Sequence, residues 1–107
     1  MSRLALTPER LEIIAARFKV LAEPTRLQVL SALKAGPLHV NALVEATGLN
    51  QANLSRHLQV LHGQGFVTRR REGLFVYYEL ADDTVFTLCE LVCGSGEPRV
   101  RRAGASR

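Results

Sequence analysis

The sequence predicts a mainly α fold carrying one small β-hairpin, and three observations predict it. Leucines recur at helical spacing in several segments punctuated by Gly and Pro. Two of those segments, VNALVEATGL and NQANLSRHLQVLH, are parted by a turn of only three or four residues, the pattern of a helix-turn-helix. The run that follows them, FVTRRREGLFVYYEL, is crowded with Val, Phe, Tyr and Thr on both sides of a turn, which suits two paired strands.

Taken in order, residues 1–6 carry no strong signal, and Thr7-Pro8-Glu9 then starts a helix. Thr is an N-cap, Pro fits the first helical position, and the acid suits the first turn. Leu11, Ile14, Ala15, Phe18 and Leu21 keep helical period until Pro24 breaks it. A second helix spans Thr25 to Leu33, with Leu27, Leu30 and Leu33 buried, and Gly36-Pro37 ends it. Arg26 within it is expected to be a surface cation or an ion-pair partner. In the third helix Val40, Leu43 and Val44 point inward and Gly48 closes it. In the fourth, Asn50 is the N-cap, Leu54, Leu58 and Leu61 form the buried stripe, and Gly63 and Gly65 stop the helix. The hairpin turn is expected at Glu72-Gly73. A last helix runs from Asp82 to Cys93, with Asp82 and Asp83 at its positive end. It is apolar almost all round, and a domain this small has too little of itself to cover it, which predicts a symmetric homodimer.

At 107 residues the chain is one domain, large enough to bury one core. Residues 1–93 are assigned to it and 94–107 to a basic flexible tail. There is no apolar run long enough to span a bilayer and no signal or lipidation pattern, so the expectation is a cytoplasmic protein without a membrane partner. No Gly-rich loop, carboxylate pair or Cys/His motif speaks for an enzyme. The net charge of +4 is uneven. Basic residues prevail in 46–78 and in 94–107, whereas Glu79, Asp82, Asp83 and Glu90 make the stretch between them acidic. Such a division orients a molecule on a polyanion.

The polar face of the fourth helix carries Gln51, Asn53, Ser55, Arg56 and Gln59. Gln and Asn pair bidentately with adenine, Arg with guanine, and Ser with several base edges. Residues near the start of such a helix are the ones that reach bases in the major groove. Arg69, Arg70 and Arg71 beside the hairpin turn repel one another, and duplex phosphates relieve that repulsion. His57 and His62 are either structural or touch the DNA backbone. The bland alternative for the whole face is an ordinary solvated helix surface.

EPTRLQVLSAL, then LSRHLQVL, then GFVTRRREGLFVYYEL together resemble the ArsR/SmtB family of small bacterial winged-helix repressors, from about Phe18 to about Cys93. The resemblance implies a dimeric winged helix-turn-helix of order ααααββα. It also implies a dimer interface built from the first and last helices, and a pseudo-palindromic double-stranded DNA operator. Family members usually release DNA when an inducer binds, often a metal or a trivalent arsenical. The family's C-V-C pattern is replaced here by Leu38-His39-Val40-Asn41, and its Asp-x-His by Asp83-Thr84-Val85, with no His on the last helix. His39 would need ligand partners that the sequence does not reveal.

Cys89 and Cys93 remain. At i and i+4 their Cβ atoms lie about 6 Å apart, wider than the roughly 3.8 Å of a disulfide. A soft metal ion, a trivalent arsenical or a bridging polysulfide fits that gap, since thiolate favours soft acceptors. Equally, two buried thiols serve as small hydrophobes and sense nothing. The functional expectation is a DNA-binding repressor with an inducer sensed at Cys89/Cys93. Its rivals are a winged helix that answers a redox or persulfide cue or no ligand, and one that binds an acidic protein.

Overall fold

The computed structural model describes residues 5–94. The basic tail assigned to 94–107 lies, beyond its first residue, outside the described residues. Five helices and three strands follow in the order α1 (Pro8–Leu21), α2 (Pro24–Ala32), β1 (Leu38–His39), α3 (Val40–Thr47), α4 (Gln51–Gly63), β2 (Val67–Glu72), β3 (Phe75–Leu80) and α5 (Thr84–Cys93).

The helix boundaries follow local chemistry. Thr7 Oγ1 accepts from the Arg10 amide at 3.2 Å and Pro8 opens α1. α2 begins one residue earlier than expected, because Glu23 acts as its N-cap, Oε1 accepting from the Thr25 amide at 3.0 Å. That leaves Pro24 at the first helical position, where its missing N–H costs nothing. His39 caps α3 through Nδ1, which accepts from the Ala42 amide at 3.3 Å. Asn50 caps α4 through Oδ1, which accepts from the Asn53 amide at 2.8 Å. α5 begins at Thr84 rather than Asp82. Asp82 lies before the helix and takes the Thr84 amide at 2.8 Å, while Asp83 makes no capping bond.

Gly63 does not stop α4 but is its last residue. The stop comes from Gly65, at φ 79, a left-handed conformation that costs a side-chain-bearing residue about 1–2 kcal/mol. There the Gly65 amide donates to the His62 carbonyl and the Phe66 amide to that of Leu61, at 3.0 and 2.9 Å. These are the two bonds of a Schellman motif.

The sheet is antiparallel with β3 in the centre, in the order β1-β3-β2. Sequence patterning predicts only the hairpin; the added strand β1 is two residues long and pairs Leu38 with Tyr78 and His39 with Tyr77. The hairpin turn sits one residue beyond the expected place. Glu72 pairs with Phe75, so the loop is Gly73-Leu74, with Gly73 at φ 62. A positive φ at the first residue of a two-residue loop is what the primed hairpin turns require, and glycine supplies it.

One core joins all the helices to the sheet. Val20, Val29, Leu30, Leu33, Leu43, Leu54, Leu58, Leu61, Val67, Tyr78 and Val85 are buried. Leu27, expected to be buried, is only half-buried. The three α4 leucines have no exposed surface at all. Each contributes about 1.5–3 kcal/mol by burial, enough to fix which way the helix faces. The helix-turn-helix corner is tied by Gln28 of α2, which donates to the Thr47 carbonyl at 3.0 Å. Thr47, buried, donates its hydroxyl to Leu43 at 2.7 Å and so leaves no orphan polar atom.

Candidate nucleic-acid interface

With Leu54, Leu58 and Leu61 locked inward, the other face of α4 is presented outward. Gln51, Ser55, Arg56 and Gln59 are exposed and Asn53 is half-buried. Arg56 Nη2 donates to Asn53 Oδ1 one turn earlier. The pair holds the guanidinium along the helix near its N-terminus, with four more donors free to meet an acceptor edge. Asn50 closes the helix start in only three residues after Thr47, so the first turn of α4 stands at the corner of the motif. That is the place from which a recognition helix enters a groove.

On the hairpin, alternation separates the three arginines. Arg69 and Arg71 pair with Tyr78 and Val76, whereas Arg70 pairs with Tyr77 on the opposite face. Arg70 is already engaged. Its Nε meets Glu72 Oε2 at 2.8 Å, its Nη1 meets Glu79 Oε1 at 3.3 Å, and its guanidinium carbon lies 5.4 Å from the Tyr77 ring centroid. The hydrogen bond and charge of Glu72, and less strongly Glu79, raise the Arg70 pKa further above its already high value. The self-repulsion expected of the arginine run is therefore partly offset from within the hairpin. Arg69 and Arg71 are exposed and make no side-chain hydrogen bond or ion pair among the described residues.

The histidines have structural surroundings. His57 is half-buried, its Nδ1 accepting from Arg26 Nε at 3.2 Å, and Arg26 Nη1 also donates to the Val20 carbonyl at 3.3 Å. Arg26 is thus half-buried and makes no ion pair among the described residues; it links the end of α1 and the start of α2 to α4. Sequence spacing gives no hint of a contact across 31 residues. His39, besides capping α3, lies 5.1 Å from the Phe75 ring and 5.6 Å from that of Tyr77, between centroids. His62 is exposed.

Cys89 is half-buried and Cys93 exposed, both as free thiols on α5. Among the described residues no group of three or more His, Cys, Asp or Glu side chains converges on a metal position. A metal at this pair would need further donors from elsewhere. The apolar faces nearby are open: Leu11 and Phe18 of α1 are 50% and 53% exposed, and Leu91 and Val92 of α5 are 75% and 71% exposed. No helix among the described residues is long and apolar enough to cross a membrane.

Comparison with known proteins agrees with this geometry. Residues 23–69, from the α2 cap to the first wing arginine, match the model of the bacterial regulatory protein arsR family. The nodulation protein NolR of Rhizobium meliloti is 36% identical over 78% of this chain and 70% of its own length. The HTH-type transcriptional regulator NmtR of Mycobacterium tuberculosis is 39% identical over 72% of this chain, which spans 64% of NmtR. The solution structure of a homodimeric winged helix-turn-helix DNA-binding domain from Mycobacterium bovis, a possible ArsR-family regulator, superposes with a TM-score of 0.74 at 33% identity. It covers 88% of this chain and 93% of that one. With its capped recognition helix, its arginine-bearing wing and relatives of this closeness, the chain belongs to the arsR family of bacterial regulatory proteins and carries a winged helix-turn-helix for binding DNA.

Proposed function

We propose that this chain is a cytoplasmic, homodimeric transcriptional repressor that holds a pseudo-palindromic operator and lets go of it when an inducer binds. The observation that carries the reading is the outward face of α4, where Gln51, Asn53, Ser55 and Arg56 lie together above a fully buried leucine stripe. These four side chains contact base edges, and Arg69 and Arg71 hold phosphate or the minor groove. Arg70 and His57, engaged with Glu72, Glu79 and Arg26, help to hold the wing and α4 that present those contacts.

The dimer follows from the open apolar faces of α1 and α5, which a second copy covers, as the relative from Mycobacterium bovis is itself a homodimer. Two recognition helices then address half-sites about 34 Å apart, one DNA turn. The inducer is sensed at Cys89 and Cys93, four residues apart on α5 and beside the same open face. A soft metal ion or trivalent arsenical bound there favours a dimer geometry in which the two heads miss their half-sites.

The test is a duplex selected by the protein from a random-sequence library, compared with a scrambled duplex of equal length across a salt series. Tighter binding to the selected duplex, weakening steeply as salt rises, is the expected result. Equal affinity for both duplexes, or no salt-sensitive binding, overturns the proposal and favours a winged helix that binds an acidic protein.

A further inference from the structure

Arg17, in the third turn of α1, sits where three elements meet. Its guanidinium carbon lies 4.2 Å from the centroid of the Phe66 ring, and its Nη1 donates to the carbonyl of Gln64. Gln64 is the C-cap of α4, so the cation stands against the end of the helix where unpaired carbonyls gather negative charge. Phe66 is anchored on both sides: its amide donates to Leu61, and its carbonyl accepts from the Ala81 amide at 3.0 Å. Asp82 follows, its carboxyl held below the usual range by hydrogen bonds from Thr84 and, less strongly, by the charge of Arg17. One side chain of α1 thereby holds the trailing end of the recognition helix and faces the loop that begins α5.

We infer that Arg17 is a positioning residue for operator recognition, setting the tilt of α4 against α1 and α5; the inference rests on the reading that the start of α4 enters the major groove. α4 has 13 residues, hence a length of roughly 20 Å. A tilt of about 5° at its C-terminal end moves its first turn by roughly 2 Å over that length, enough to break hydrogen bonds to base edges. Arginine suits the task because its flat guanidinium stacks on a ring while its edge donates, which a lysine ammonium does not reproduce. Arg17 stands at the opposite end of α4 from the reading turn, so it shapes discrimination without supplying charge to the duplex.

The test uses the full chain with Arg17→Met, which keeps the stem and removes both contacts, Arg17→Lys, Phe66→Leu and the Arg17→Met/Phe66→Leu double variant. Each is titrated onto the selected and the scrambled duplex over a salt series, with thermal unfolding and sedimentation alongside. Arg17→Met is expected to bind the selected duplex about tenfold more weakly, with scrambled-duplex affinity and salt slope unchanged. Arg17→Lys is expected to recover little of that loss, and the double variant to be no worse than the worse single one. Loss of affinity for both duplexes with a flatter salt slope would make Arg17 a phosphate contact. A lowered unfolding temperature with an unchanged selected-to-scrambled ratio would make it a stabilising residue only. Either result overturns the inference. Failure of the wild type to prefer the selected duplex is a separate result, seen before any variant is compared, and it overturns the DNA reading and the inference with it.

Discussion

Arg26 Nε donates to His57 Nδ1 at 3.2 Å, and this contact ties α4 to α2 one turn beyond Asn53. Arg donates and never accepts, so Nδ1 of His57 takes the acceptor's part in this contact. The same guanidinium satisfies the carbonyl of Val20 near the C-terminus of α1. Removing it leaves the His57 ring nitrogen and the Val20 carbonyl without this donor. Arg26→Leu is therefore expected to lower stability by about 1–2 kcal/mol, the range for charge-assisted bonds that are partly open to water, read from urea unfolding at constant slope. A midpoint equal to that of wild type would show that water replaces the guanidinium at no cost.

The three wing arginines divide by strand face, and their variants should divide the same way. Arg71→Ala is expected to weaken selected and scrambled duplexes alike and to reduce the salt slope by about one. Arg70→Ala should change it much less, because Glu72 and Glu79 already neutralise that side chain. Arg56→Ala is expected to cost about 1–3 kcal/mol on the selected duplex alone, the worth of one bidentate base contact. Fluorescence anisotropy over a salt series separates the three. Equal slopes for Arg70→Ala and Arg71→Ala would mean that DNA breaks the Glu72 and Glu79 pairs.

The start of α5 carries a pH dependence whose sign follows from Asp82. Its carboxyl accepts the Thr84 amide, and that bond with the Thr84 hydroxyl holds its pKa below the ordinary carboxylate range. A folded-state pKa lowered below the unfolded one gives stability that is present above the unfolded value and is lost as pH falls through the folded one. Asp82→Ala should therefore unfold at a lower temperature than wild type at pH 7, and the gap should close in strongly acidic solution. A gap that stays constant down to that range would assign the loss to packing instead of the carboxylate.

Where the chain announces its elements, it does so through local chemistry that needs no partner. Asn50 caps α4 and the leucines at 54, 58 and 61 define its inner face, and both are visible in a window of twelve residues. β1 is not visible in this way. Leu38 and His39 are too few to show alternation and are strand only because Tyr77 and Tyr78 offer a free edge. The hairpin turn is displaced by one residue for a related reason: Glu72 keeps its place in the ladder opposite Phe75, which passes the loop to Gly73 and Leu74. Among the site residues, Gln51, Ser55 and Arg56 stand where helical spacing puts them. The engagement of Arg70 could have been anticipated, since Glu72 at i+2 shares its strand face. That of His57 could not, because Arg26 is brought to it only by the packing of α2 on α4.

Cys89 and Cys93 set the last expectation, which concerns stoichiometry as much as response. The described residues gather no third His, Cys, Asp or Glu around them, and an ion that takes four ligands, such as zinc or cadmium, is under-coordinated by two thiolates alone. If the pair binds such an ion, a second copy of α5 must complete the set, giving one ion per dimer with four thiols. A trivalent arsenical needs three at most, so it also bridges copies or keeps a ligand of its own. Titration of the reduced protein with cadmium, followed by thiolate-to-metal absorption, should reach its end point near one ion per two chains. Operator release should follow the same curve, and Cys89→Ser/Cys93→Ser should show neither. Release by the double variant at wild-type concentrations would leave both thiols as apolar packing on α5 and move the search for the inducer site elsewhere.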